Sequence, residues 1–135
     1  PTNFLDILKK SKPSLVINAA AYTDVEGAES NENLANQINS EALKYIASAC
    51  ETLDLILLHF STDYVFDGNK NTPYLEDDKP NPISTYGNSK LLGEKIISDN
   101  MKNYIILEPV VLFLITQITL SIKLCWQQKH KKNSK

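Results

Sequence analysis

Tyr86 and Lys90 stand four residues apart in "STYGNSK" (84–90), and Ser61, Thr62 and Asp63 stand together in "STDYVFDG" (61–68). A phenol, an ammonium group and neighbouring hydroxyls are what a site needs to reduce a ketone by hydride transfer. The developing alkoxide requires a proton, and a phenol at its reference pKa of about 10 is a poor partner at neutral pH. An adjacent ammonium favours the phenolate and lowers that pKa. Residues i and i+4 of a helix share a face, so Tyr86 and Lys90 are expected side by side. Lys90 is then expected to lower the Tyr86 pKa and to hydrogen-bond the ribose of a nicotinamide cofactor. Thr62 or Ser61 would orient the substrate carbonyl. Help of this general-acid kind accelerates a reaction by roughly 10²–10⁴. Taken alone, a Tyr-x-x-x-Lys pair is commonplace. The order of strand, Ser-Thr-Asp, Pro-rich loop and Tyr-x-x-x-Lys at a helix start is what sets this one apart.

The elements that must hold these groups follow from hydrophobic spacing. In "FLDILKKSK" (4–12), Phe4, Leu5, Ile7 and Leu8 are spaced for one helical face, and Pro13 ends the helix. "LVINAAA" (15–21) and "LDLILLHFST" (53–62) are short apolar runs, as in buried parallel strands. Between them, Leu34, Ile38, Ala42, Ile46 and Ala49 mark a helix over 31–50. Three prolines and the Asp67-Gly68 turn place a surface loop over 69–85. A helix follows over 86–99, and "YIIL" (104–107) starts a third strand. This alternation predicts an α/β fold: a βαβαβ, Rossmann-like parallel sheet. Ligands bind such sheets beyond the carboxyl ends of the strands. Those ends here are "NAAAYTDVE" and "STDYVFDG".

The bulk properties agree with one ordinary domain. The chain has 135 residues, 42% hydrophobic and 22% charged, with a net charge of −2 that gives no basis for nucleic-acid binding. Cys50 and Cys125 form no metal or disulfide pattern. A reducing, cytoplasmic setting is expected, and no metal.

"KPSLVINAAAYTDVEGAES", "HFSTDYVFDG" and "TPYLEDDKPNPISTYGNSKLLGEK" together closely resemble the dTDP-4-dehydrorhamnose reductase family of extended short-chain dehydrogenases. The resemblance covers about residues 1–107. It implies an NADPH- or NADH-dependent reduction of dTDP-4-dehydro-L-rhamnose to dTDP-L-rhamnose, with Thr62, Tyr86 and Lys90 catalytic. It implies cofactor contact at Ala19, Ala20, Ala21, Tyr22, Ser61, Tyr86 and Lys90, the small side chains letting the backbone approach the ligand. Val25, Thr62, Asp63, Tyr64 and Tyr86 match substrate-side positions. A dTDP-4-keto sugar nucleotide is the implied partner, and a homodimer is a further implication for the full-length family. Two other readings stay open: a different sugar-nucleotide reductase or epimerase, and a non-enzymatic relative like the beta subunit of methionine adenosyltransferase.

The chain departs from the family pattern in two places. The family begins with a strand and a Gly-rich turn for the cofactor pyrophosphate, whereas this sequence opens at Pro1 and has four glycines in no such arrangement. It is therefore expected to be an internal fragment, with 1–107 a partial dinucleotide-binding domain. After "NYII" the family's Arg-Thr-Ser-Trp does not appear; the chain reads "LEPVVLFLITQITLSIKLCWQQKHKKNSK". Codons for Leu107-Glu108-Pro109 exist that give Arg-Thr-Ser two bases on, and later segments yield further family-like strings in order. Residues 108–135 are accordingly expected to be a frameshifted tail. The run 104–122 has the length of a membrane span, but Glu108, Pro109 and Gln117 argue against insertion.

Overall fold

A computed structural model describes residues 3–75, 77–114 and 117–126, over 109–126 the backbone alone. Helix α1 (Phe4–Ser11) starts at Asn3, whose side chain accepts from the Leu5 amide, and ends with Lys12 in the left-handed region. Strand β1 is Leu15–Asn18. Helix α2 (Val25–Ser30) is capped by Asp24, which accepts from the Gly27 amide. Helix α3 (Glu32–Asn36) runs through a wider turn at Gln37–Glu41 into α4 (Ala42–Thr52). Then come β2 (Ile56–Phe60), a short 3₁₀ turn at Asp63–Val65, α5 (Thr85–Asn100), β3 (Tyr104–Leu114) and β4 (Gln117–Trp126).

The strands lie in the order β1-β2-β3-β4. The first three are parallel, with Asn18 beside His59 and Phe60 beside Leu107, and β4 returns antiparallel to β3. The expected βαβαβ core is thus present. The expected strands are shorter than their apolar runs: Ala19–Ala21 and Ser61–Thr62 lie past the strand ends, where they are free to face a ligand. The described residues of 104–126 form two strands, and no described helix is long and apolar enough to cross a membrane. The expected frameshift is a matter of coding sequence, and residues 127–135 lie outside the described residues.

One core holds the sheet to its helices. Leu8, Leu43, Ala47, Cys50, Leu57, Ile97 and Ile106 are buried together. Burying a Leu or Ile side chain contributes roughly 1.5–3 kcal/mol. Alternation sends Leu57 and His59 inward and leaves Ile56 and Phe60, on the other face of the sheet, exposed. The described helices therefore form the layer on one face of the sheet.

The helix over 31–50 has its stripe in a different phase from the expected one. Leu34 and Ile38 are exposed, while Ala35, Asn39, Leu43 and Ala47 face inward; of the rest of the expected stripe, Ala42 is half-buried, Ile46 packs against the core and Ala49 lies in it. The cause is close packing against α5. A Cβ on Gly93 would collide with the Asn39 carbonyl oxygen and crowd Leu43. Only small or shape-matched residues fit the seam, so it does not follow the most apolar positions. In α1, Ile7 is likewise exposed while Phe4, Leu5 and Leu8 pack inward.

Candidate functional site

Parallel pairing of β1 with β2 puts both chain exits at the same edge of the sheet. Ala19–Tyr22 and Ser61–Tyr64 therefore emerge as neighbours, and α5 begins beside them. The α5 N-terminus is fixed by Ser84, whose hydroxyl accepts from the Gly87 amide at 3.0 Å. Glu29 of α2 accepts from both the amide (2.8 Å) and the hydroxyl (2.7 Å) of Thr85. A Cβ on Gly87 would strike the Tyr64 carbonyl oxygen, so glycine here lets the helix start press against the turn after β2.

Tyr86 lies in that corner. Its ring is buried against Ala28 and Ala35, with Tyr22 and Val25 alongside. It meets the Tyr64 ring edge to face. Burial pushes its phenol upward in pKa; a hydrogen bond from Thr62 opposes this, and Asp63 and Tyr64 add to the rise. Thr62 also accepts from the Tyr64 amide and bonds the Asp63 carboxylate, each at 3.3 Å. Asp63 and Tyr64 sit at the rim, Asp63 half-buried and Tyr64 exposed.

Of the two hydroxyls raised by the sequence, only Thr62 serves Tyr86. The Ser61 hydroxyl donates to Glu94 of α5 instead. Ser61 and Lys90 lie deeper in the site, and Ala19 and Ala20 are exposed at the β1 exit with Ala21 half-buried.

Lys90 has partners that the sequence did not show. It shares the α5 face with Tyr86, as i,i+4 spacing demands, but its ammonium points past the phenol and into the sheet. Lys90 is 1% exposed; its Nζ donates to the Phe60 carbonyl oxygen at 2.6 Å and lies 3.3 Å from His59 Nε2. In this geometry the buried Phe60 carbonyl and the His59 imidazole hold its Nζ. Burial lowers Lys90 itself to about 8, with Glu94 opposing the shift.

Three site residues escaped the sequence reading. Asn39 is buried; it accepts from the Tyr22 amide at 2.8 Å and donates to the Tyr22 carbonyl at 3.1 Å and to Ser89 Oγ at 2.9 Å. It holds the loop after β1 to the helix that carries Tyr86. Asn18 and His59 are paired at 3.0 Å under the sheet. Their signal in the sequence was a lone polar residue inside "LVIN" and "LILLHF", since a buried polar group must find a partner. The Asp67-Gly68 turn is as expected: Gly68 has φ 74°, and the Asn69 amide, Asn81 and Tyr74 hold Asp67 down to about 2.

Among the described residues no cluster of His, Cys, Asp and Glu could hold a metal. A nicotinamide cofactor does fit the residues present. The exposed backbone of Ala19 and Ala20 carries nothing larger than a methyl group, so a flat ligand can approach closely at the strand exits.

Comparison with known proteins places this geometry. The RmlD substrate binding domain model matches residues 1–122. The chain is 44% identical over 99 residues to dTDP-4-dehydrorhamnose reductase of Burkholderia thailandensis, covering 73% of the chain and 33% of that protein. It is 40% identical over 106 residues to the Shigella flexneri protein of the same name, covering 78% and 36%. A crystal structure of dTDP-4-dehydrorhamnose reductase from Bacillus anthracis in complex with NADP superposes with a TM-score of 0.73 at 35% identity, covering 76% of the chain and 36% of that structure. The chain thus spans about a third of the length of the curated relatives it matches. The matched residues contain both strand exits and the Tyr86 corner between them, and the chain belongs to the RmlD substrate-binding-domain family.

Proposed function

We propose that this chain is the part of an NADPH- or NADH-dependent reductase that carries the proton donor, and that the substrate is the 4-keto sugar of a dTDP nucleotide, dTDP-4-dehydro-L-rhamnose. The observation that carries the reading is the Tyr86 corner, where the ring at the start of α5 is buried beside Tyr22 and Val25 of the β1 exit and meets Tyr64 of the β2 exit edge to face. When bound, the reduced nicotinamide supplies a hydride to the carbonyl carbon. Tyr86 donates its phenolic proton to the carbonyl oxygen as that oxygen becomes an alkoxide. Burial raises the Tyr86 pKa, so the phenol enters the reaction protonated, as an acid must. Thr62 offers its hydroxyl to the same oxygen, giving up its bond to Asp63 to do so. Ala19, Ala20, Ala21 and Tyr22 line the cofactor side, with Ser61 and Lys90 beneath. Val25, Asp63 and Tyr64 line the sugar side. The names of the relatives support the substrate class, and the NADP complex supports the cofactor class.

The test is a chimaera in which the 106 matched residues replace their counterpart in the Shigella flexneri relative. Oxidation of NADPH dependent on the dTDP-4-keto sugar, and abolished by Tyr86→Phe, is expected. A chimaera that binds cofactor and sugar nucleotide but is indifferent to Tyr86→Phe would overturn the assignment.

A further inference from the structure

Beneath the proposed reduction site, between the sheet and α5, lies a buried polar chain that reaches Lys90 from the strands. It starts at the Ala20 amide, which donates to Asn18 Oδ1 at 3.2 Å. A backbone N–H can only donate, so it settles which end of the Asn18 carboxamide is oxygen. The other end, Nδ2, lies 3.0 Å from His59 Nδ1. An amide NH₂ also only donates, so Nδ1 must accept, and a neutral imidazole then carries its proton on Nε2. That N–H faces Lys90 Nζ at 3.3 Å. An amine can accept from it; an ammonium cannot. Lys90 keeps its bond to the Phe60 carbonyl at 2.6 Å in either state. His59 is 1% exposed, and burial followed by the Lys90 charge takes it down to about 3, so it stays neutral. The titratable groups acting on Lys90 are His59 from β2 and Glu94 from α5 itself.

We infer that Asn18 and His59 are positioning residues for Lys90: the Ala20 backbone locks the Asn18 amide, the amide locks the His59 tautomer, and the Nε2–H so presented favours the neutral amine of Lys90. The inference rests on the proposed function only in taking Lys90 as part of a working site. The relay makes Lys90 a group that gives up and regains a proton close to neutral pH. It also ties that exchange to the Ala19–Ala21 loop, on the cofactor side, through Ala20.

The test uses nitrogen-15-labelled 135-residue chain and two-bond proton–nitrogen correlations of the imidazole rings. The two histidines, His59 and His130, are told apart by His130→Gln. His59 is expected as the Nε2–H tautomer across neutral pH, a result that needs no change at the site. Lys90 titration, followed at its side-chain carbon, is expected near 8 in the parent. His59→Phe keeps the burial and removes the donor, and should raise the proton affinity of Lys90 about tenfold, one pKa unit. His59→Gln, whose amide accepts at one end and donates at the other, should return the midpoint toward the parent's. A proton on His59 Nδ1 in the parent, or the same Lys90 midpoint in parent and His59→Phe, overturns the inference. Loss of the proposed reduction in the chimaera with the His59 tautomer intact would count against the function and leave the relay standing.

Discussion

The rings of Tyr64 and Tyr86 meet edge to face, with centroids 5.6 Å apart and planes at 78°. One ring is exposed and belongs to the turn after β2; the other is buried at the start of α5. The contact is between the rings and does not require the phenolic oxygen. Packing and chemistry at Tyr86 are therefore separable. Tyr86→Phe should keep the ring contacts and the melting temperature of the chain. In the chimaera it should lower turnover by roughly 10²–10⁴, the loss expected of a general acid. Steady-state kinetics with thermal unfolding of the same variant checks both halves, and a fall in stability with intact turnover contradicts the expectation.

Asn39 is the second test, because it makes three hydrogen bonds across the seam between the β1 exit and α5. Asn39→Leu fills similar space but strands the Tyr22 amide and carbonyl. Leaving buried partners unsatisfied costs about 1–3 kcal/mol. Urea denaturation should show that loss, and hydrogen exchange should show faster opening at the Tyr22 amide.

Gly93 gives a prediction of opposite sign to helix propensity. In an exposed helix, Gly→Ala is worth about 1 kcal/mol of stabilisation. Here the added methyl would run into the Asn39 backbone and the Leu43 side chain. Overpacking of that kind costs about 1–3 kcal/mol, so Gly93→Ala should be net destabilising by urea titration. A stabilised variant would mean that α5 and the wide turn at Gln37–Glu41 separate easily.

Lys90 should leave a signature in the pH dependence of stability. Its folded value is about 8 against an ordinary 10.5. Between the two, the unfolded chain holds a proton that the native chain has released. Stability from this group is therefore present above about 10.5 and is lost as pH falls through about 8. Lys90→Met lacks the term. Its stability advantage over the parent should shrink as pH is raised through this window in chemical unfolding, and a constant difference would refute the shifted Lys90.

His59 should do the same at lower pH. Burial sets it at about 3, against an ordinary 6.5. The stability it contributes is present above about 6.5 and disappears as pH falls toward about 3. His59→Gln should flatten that part of the acid unfolding curve relative to the parent.

Much of this protein was legible in one dimension. Short apolar runs, a Pro-rich interval and i,i+4 spacing were enough for the three parallel strands and the helices over 31–50 and 86–99, though not for α2 or for the antiparallel β4. These are consequences of local periodicity and chain connectivity, which a sequence carries directly. What needed three dimensions was the direction of each polar group. Ser61 and Thr62 are adjacent in the chain, yet extended backbone sends them opposite ways, Ser61 to Glu94 of α5 and Thr62 to Asp63 and the Tyr64 amide in the turn after β2. Lys90 stands one helical turn from Tyr86 but is drawn to the Phe60 carbonyl and His59, because a buried ammonium goes where the interior offers acceptors. The phase of the helix over 31–50 was set by the nearness of Gly93, across more than fifty residues of chain. Asn18 and Asn39 went unremarked in the sequence, and only the fold supplied the partners that make them part of the site.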